Sequence, residues 1–190
     1  MRLTEENKKK ITDRIRTSAG QLFRAEGFEA VNIDKVMAAA GLTRGAFYAH
    51  FPSKSALLAE VLRHEHPVLR MLAARQGDAA ALRAQMEEIF SAYLDPAHQA
   101  EIFRGCSLAA LSESATRGPL PVREGLTAAF EAICAEMARG QGHPPCAYAA
   151  PLILAAGAVR QAQATPDAAA REALLRAAHA GVLRLLPESA

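Results

Sequence analysis

Residues 36–54 read VMAAAGLTRGAFYAHFPSK. Two short helical patterns meet there at Gly41, and the second, about 44–50, carries Arg44, Tyr48 and His50 behind Thr43. A helix, a glycine turn and a second helix with hydroxyl, guanidinium and phenol groups near its start form a helix-turn-helix. These residue types hold a phosphate backbone and read base edges in a groove, so the stretch points to double-stranded DNA.

The flanks support this reading. Ile11, Ile15, Leu22 and Phe23 make one apolar face on a helix from about residue 5 to Ala25, and Gly27 stops it. Asn32 can cap a short helix, about 33–39, and Thr43 can cap the next. Pro52 ends that helix, and Ser53 caps a longer one bearing Leu57, Leu58, Val61 and Leu62.

Helical spacing continues to the end of the chain, and no clean alternating pattern argues for strands. Gly77-Asp78 opens a helix with Leu82, Met86, Ile89, Phe90 and Tyr93 on one side, broken at Asp95-Pro96. A short helix, about 97–104, leads through Gly105 into another, about 106–116. After Gly118-Pro119 and Pro121, Val122, Leu126, Phe130, Ile133 and Met137 recur at helical spacing. Two alanine-rich helices close the chain, about 145–163 and 167–186, separated by Thr165-Pro166. The expected class is all-α. A helix-turn-helix domain is expected over residues 1–55 and a helical sensing and dimerisation domain over 56–190, joined through the helix that starts at Ser53.

Charge is distributed unevenly. Net charge is +2 over 190 residues, but residues 1–63 hold 11 basic and 7 acidic side chains against 11 and 13 in the rest. All five lysines fall in the first 54 residues. A basic front and a mildly acidic back suit two regions with different partners. The polar first fifteen residues do not look like a signal peptide, and no stretch approaches the roughly 18 apolar residues of a membrane span. Cys106, Cys134 and Cys146 form no CxxC and no even set. A disulfide framework is therefore not expected, and the cytoplasm is the expected compartment.

The stretches LFRAEGFEAVNI and DKVMAAAGLTRGAFYAHFPSK, followed by a leucine pair, resemble the TetR family of bacterial transcriptional repressors. The resemblance covers roughly residues 11–62. It implies a homodimer that binds a palindromic operator and releases it when a ligand engages the C-terminal region. Beyond about residue 63 it supports only a helical effector and dimerisation region.

Thr43 and Arg44 sit at the start of the second helix, where major-groove reading needs side chains. Arg44 suits a bidentate contact to guanine; Thr43 suits a base edge, a phosphate or a simple helix cap. Gly45 lets the backbone come close to DNA. Tyr48 and His50 match positions that contact phosphate in the family, while Phe47 and Phe51 read as core. Lys54 stands in the first turn of the next helix, where free amides already favour an anion. Lys35 and the Lys8–Lys10 run are weaker candidates, the latter a solvated tail.

For the effector, Phe90, Tyr93, Phe103 and Phe130 suit a pocket wall, although residues at such spacing are more often plain core. Cys106 follows Arg104 and Gly105 near an expected helix start, where a thiolate is favoured. A Gly-Cys at this point also resembles a TetR branch that answers to electrophiles or oxidants. The alternative is a noncovalent ligand, with Cys106 a small buried residue. His64, His66 and His98 do not have the usual helical spacing of metal ligands. No GxSxG, HExxH, P-loop or GxGxxG is present, so no metal, cofactor or catalytic residue is expected, and an enzyme or metal-binding protein is a distant alternative. The last two helices, residues 145–186, are expected to form the dimer through Leu152, Val159, Leu174, Val182 and Leu185.

Overall fold

The computed structural model describes residues 5–98 and 106–188. The described chain is helical: α1 (Glu5–Glu26), α2 (Ile33–Ala39), a 3₁₀ segment (Arg44–Ala49), α3 (Lys54–His64), α4 (Pro67–Ala73), α5 (Ala79–Tyr93), a 3₁₀ turn (Pro96–His98), α6 (Ser107–Arg117), α7 (Leu120–Ala138), a 3₁₀ turn (Pro145–Tyr148), α8 (Ala149–Ala164) and α9 (Ala168–Leu185). The helix expected over 97–104 lies largely outside the described residues. α4 was not expected from the sequence. Its signal is Pro67 at the first helical position with Val68 and Leu72 one turn apart.

Packing divides the chain into two units, one of residues 1–65 with 110–129, the other of residues 66–109 with 130–190. This differs from the linear split expected after residue 55. The reason lies in α3, whose Leu57, Leu58, Val61 and Leu62 are buried in the core of the first unit together with Leu111, Ala115 and Val122. Gly125 explains how closely α7 approaches α3, since a Cβ there would fall 2.9 Å from the Ala59 carbonyl oxygen.

In the first unit, Ile15, Ala19 and Phe23 repeat along α1 and are fully buried. Gly27, at φ 86°, ends the helix and donates its amide to the Phe23 carbonyl at 3.0 Å. Two of the expected caps form: Asn32 Oδ1 accepts from the Lys35 amide at 2.8 Å, and Ser53 Oγ from the Ala56 amide at 3.0 Å. Gly41 takes φ 65°, which a side chain would strain, and the Leu42 amide closes onto the Met37 carbonyl at 2.8 Å. Buried Glu65 ties the end of α3 to α1, accepting from Arg16 Nε and Thr17 Oγ1, each at 3.2 Å.

In the second unit, α8 and α9 pack against each other. Asp78 caps α5 and Asp167 caps α9 through their carboxylates. The buried Arg75 guanidinium donates to the carbonyls of Leu72 and Leu82, each at 2.9 Å, and to that of Glu136. Arg139 and Gln141 add bonds to the carbonyls of Leu72 and Ala79. Carbonyl dipoles thus solvate a charge that would otherwise be costly to bury.

One expectation about the last helices is corrected. Leu152, Val159 and Val182 are buried inside this chain, at 4%, 0% and 0% exposure, so they cannot face a partner. They are instead buried within their own unit. Small and apolar residues are among the exposed positions, Ala150, Ile153, Gly157 and Ala164 on α8 and Ala173, Ala177, Ala180 and Leu185 on α9, beside charged Arg160, Glu172, Arg176 and Arg184. Among the described residues, no helix is long and apolar enough to cross a membrane.

Candidate nucleic-acid interface

The turn at Gly41 delivers the chain to Thr43, from which the 3₁₀ segment Arg44–Ala49 begins. The expected second helix is present but wound tighter than an α-helix. Phe47 is fully buried and Phe51 nearly so, and their rings lie 5.9 Å apart, so the segment is seated as expected. Thr43, Arg44, Gly45 and Tyr48 are exposed.

These exposed residues do little for the fold. Thr43 occupies the cap position, yet its side chain makes no capping hydrogen bond. A Cβ added at Gly45 would meet nothing within 4 Å, and its φ is not positive, so neither space nor backbone requires glycine. Tyr48 is 60% exposed and stacks edge-on against Phe47 at 5.2 Å, which fixes the ring. Arg44 Nη1 donates to Asp34 Oδ2 at 2.6 Å.

Other expected contacts have internal partners. His50 Nδ1 lies 2.8 Å from Thr12 Oγ1, and burial, with the Lys8 charge nearby, lowers its pKa below the usual 6.5. Lys54 Nζ donates to the Phe28 and Val31 carbonyls at 2.8 and 2.9 Å and stands 4.1 Å above the Phe28 ring. Lys35 pairs with Glu26. The Lys8–Lys10 run is part of α1 rather than a tail. Sequence reasoning missed Thr12, Arg14 and Asp34. Arg14 donates to the Ala40 carbonyl and so braces the helix-turn-helix corner. Nothing in local spacing announces contacts 26 to 38 residues apart.

Of the effector candidates, Phe90, Tyr93 and Cys106 are all buried and line one gap in the second unit, with a volume of about 10 Å³. That is room for no more than one water. Cys106 Sγ accepts from the Ala109 amide at 3.4 Å at the start of α6. Burial pushes the Tyr93 hydroxyl well above its usual pKa, and the nearby Cys106 adds to this. Phe130 is half-buried and is not part of that wall. Phe103 and Arg104 lie outside the described residues. Among the described residues, no group of three or more His, Cys, Asp or Glu could hold a metal ion.

Comparison with known proteins matches this geometry. Residues 15–61 match the model of bacterial regulatory proteins of the tetR family. The Transposon Tn10 TetC protein of Escherichia coli is 33% identical over 91 residues, which is 48% of this chain and 46% of that protein. An uncharacterized HTH-type transcriptional regulator of Bacillus subtilis (strain 168), YerO, is 44% identical over 52 residues, covering 27% of this chain and 17% of that protein. The chain thus spans less than half the length of either relative. Two solved structures extend the likeness in fold alone. The reduced form of E. coli NemR has a TM-score of 0.71 at 18% identity, over 94% of this chain and 99% of that one. A TetR transcriptional regulator from Legionella pneumophila has a TM-score of 0.66 at 17% identity, over 92% and 96%. Residues 15–61 thus match the N-terminal DNA-binding domain of the tetR family of bacterial regulatory proteins, and beyond them the likeness is one of fold.

Proposed function

We propose that this protein is a homodimeric repressor that binds a palindromic DNA operator through Thr43, Arg44, Gly45 and Tyr48, and releases it when an effector acts on the second unit. One observation carries the DNA contact. Thr43 and Gly45 occupy the most exposed end of the recognition segment, yet the fold uses neither the hydroxyl of one nor the missing side chain of the other. Both features suit an outside partner that comes close to the backbone and offers groups to a hydroxyl.

Dimerisation through α8 and α9 is supported by the small and apolar residues left exposed there, Ile153, Gly157, Ala173, Ala177 and Leu185. Two such helix pairs, related by a two-fold axis, would cover these faces as a four-helix contact. Two recognition segments would then meet two half-sites of an inverted repeat.

Release by a noncovalent ligand requires the gap beside Phe90 and Tyr93 to open, because its present volume admits no organic molecule. Release by an electrophile or oxidant at Cys106 is the second reading. Its support is the placement of Sγ against an amide at the start of α6, where a helix N-terminus favours a thiolate.

The test is selection of bound sequences from a pool of randomised duplexes with the full chain, followed by Gly45→Ala. An inverted repeat should emerge. The Gly45→Ala protein should unfold at the wild-type temperature and bind the selected repeat about tenfold more weakly, a change of about 1.4 kcal/mol, because the added methyl holds the backbone off the DNA. Unaltered binding of the repeat would remove the recognition segment from the interface.

A further inference from the structure

We propose that Asp34 is a specificity-determining residue for DNA: it holds the Arg44 guanidinium at one nitrogen so that the remaining edge faces a guanine, and its charge penalises duplexes that offer only phosphate there. The inference rests on the DNA-binding reading above and extends it to a residue outside the recognition segment.

The two side chains come from different elements. Asp34 is the second residue of α2, and Arg44 is the first of the 3₁₀ segment that follows the Gly41 turn. Nη1 meets Oδ2 at 2.6 Å, with the side chains 63% and 52% exposed. An ion pair this open to water contributes little to stability, because solvent and salt screen it and two side chains lose freedom to form it. Nor is Asp34 needed to cap α2, since Asn32 already accepts the Lys35 amide. A first-turn carboxylate is mildly favourable toward the helix dipole, but that role requires no contact with Arg44.

What the pair does accomplish is orientation. A free arginine samples many rotamers, and freezing them on binding weakens each contact that it makes. Asp34 biases Arg44 toward one rotamer beforehand. A guanidinium carries five donors in a flat fork. With Nη1 held by the carboxylate, the Nε–Nη2 edge is still available for a bidentate contact to guanine O6 and N7. Arg44 is also the cation of this segment most suited to the task. Lys35 is paired to Glu26, and Lys54 is spent on the Phe28 and Val31 carbonyls.

The same carboxylate acts against unspecific binding. On an exposed surface facing polyanionic DNA, it cancels the Coulomb attraction that Arg44 would otherwise offer to any phosphate. Only a partner that forms the bidentate pair recovers the cost. A negative charge beside the reading cation therefore lowers affinity for all DNA and lowers it least for the correct base, which is specificity by difference.

The experiment uses the full chain and a pool of randomised duplexes, with wild type, Asp34→Asn, Asp34→Glu, Arg44→Ala and the double variant Asp34→Asn/Arg44→Ala. Wild type should select a guanine whose preference is lost in Arg44→Ala. Asp34→Asn should keep its unfolding temperature, lose about tenfold in preference at that guanine, and bind unselected duplex more tightly, with a salt slope steeper by up to about one. Asp34→Glu should restore part of the preference. The double variant should match Arg44→Ala alone in preference. Asp34→Asn with wild-type preference at that guanine overturns the inference while leaving the DNA-binding reading intact. A further loss of preference when Asp34→Asn is added to Arg44→Ala overturns it as well, because the carboxylate would then act without the guanidinium. Selection of no sequence by wild type overturns both.

Discussion

Lys54 donates from Nζ to the Phe28 carbonyl at 2.8 Å while standing 4.1 Å above the ring of the same residue. With its second bond, to Val31, it closes the loop between α1 and α2. A lysine in the first turn of a helix reads from sequence as a phosphate contact; here its charge is directed inward, onto two carbonyls and a π-face.

Lys54→Met should therefore lower the stability of the first unit. Two hydrogen bonds from a charged donor are lost, and two carbonyls lose their partner, at a cost of about 1–3 kcal/mol. The salt dependence of DNA binding should keep its slope, in contrast to the flattening expected of a lost phosphate contact. Urea unfolding and a salt titration on the same protein check both halves.

His50 predicts opposite pH effects on folding and on binding. Its folded pKa is lowered by burial and then by Lys8, so the native state binds fewer protons than the unfolded chain between that lowered value and about 6.5. The stabilising contribution is whole above about 6.5 and is lost as pH falls through the folded value. Binding runs the other way. Thr12 Oγ1 gives its proton to the Lys8 carbonyl at 3.0 Å and accepts from His50 Nδ1–H. Nε2 of the neutral ring is then an acceptor and cannot donate to a phosphate. Protonation supplies that donor and a charge. Between about pH 7.5 and 6, DNA affinity should rise while stability falls. His50→Gln, which cannot titrate, should flatten both trends.

The helix-turn-helix was legible because its signals are local. Asn32 and Ser53 cap within three residues, Gly41 alone supplies the positive φ of the turn, and Phe47 and Phe51 mark the seated face. Which polar residues point outward was less legible. Asp34 with Arg44, Thr12 with His50 and Lys54 with Phe28 are 10, 38 and 26 residues apart, and periodicity carries no information about such pairs. In the last helices, spacing found the apolar positions but could not separate the face that meets its own chain from the face left exposed. Leu152 and Val159 were assigned to the wrong one, because leucine and valine suit either. An effector wall and a core also share one pattern, which is why Phe90 and Tyr93 could not be separated from Phe130.

Gly157 isolates the dimer contact from the fold. It lies in the interior of α8 with negative φ, and a Cβ there would meet nothing within 4 Å. A larger residue costs the monomer nothing and gains helix propensity, about 0.5–1 kcal/mol. Gly157→Arg should thus keep its helical signal and unfold no earlier as a monomer, yet sediment as a monomer where wild type sediments as a dimer. Its affinity for an inverted repeat should fall toward that for a single half-site. A wild-type chain that is monomeric at micromolar concentration would remove α8 and α9 as the dimer contact.

The three thiols should react in a fixed order. Cys146 is exposed, while Cys106 and Cys134 are buried. Burial, with Cys146 and Glu131 nearby, pushes the Cys134 thiol up to about 11, so it stays protonated and inert at neutral pH. A thiol reagent should label one site per native chain quickly, Cys146, and the other two only as the protein opens. Cys106 is the buried thiol placed to matter, because Sγ sits at the first turn of α6 and against Tyr93. Alkylation there replaces a small sulfur in a gap of about 10 Å³ with a group that cannot fit, and the start of α6 must shift. Residues of α6 from Ala110 onward pack in the first unit, so the helix offers a covalent path for that shift. DNA release by hypochlorite, peroxide and a quinone should therefore persist in Cys146→Ser and disappear in Cys106→Ser, with both variants unfolding near the wild-type temperature. Release of Cys106→Ser at the wild-type dose would leave Cys106 as packing and a cap for the Ala109 amide, and would assign the effector to a noncovalent ligand.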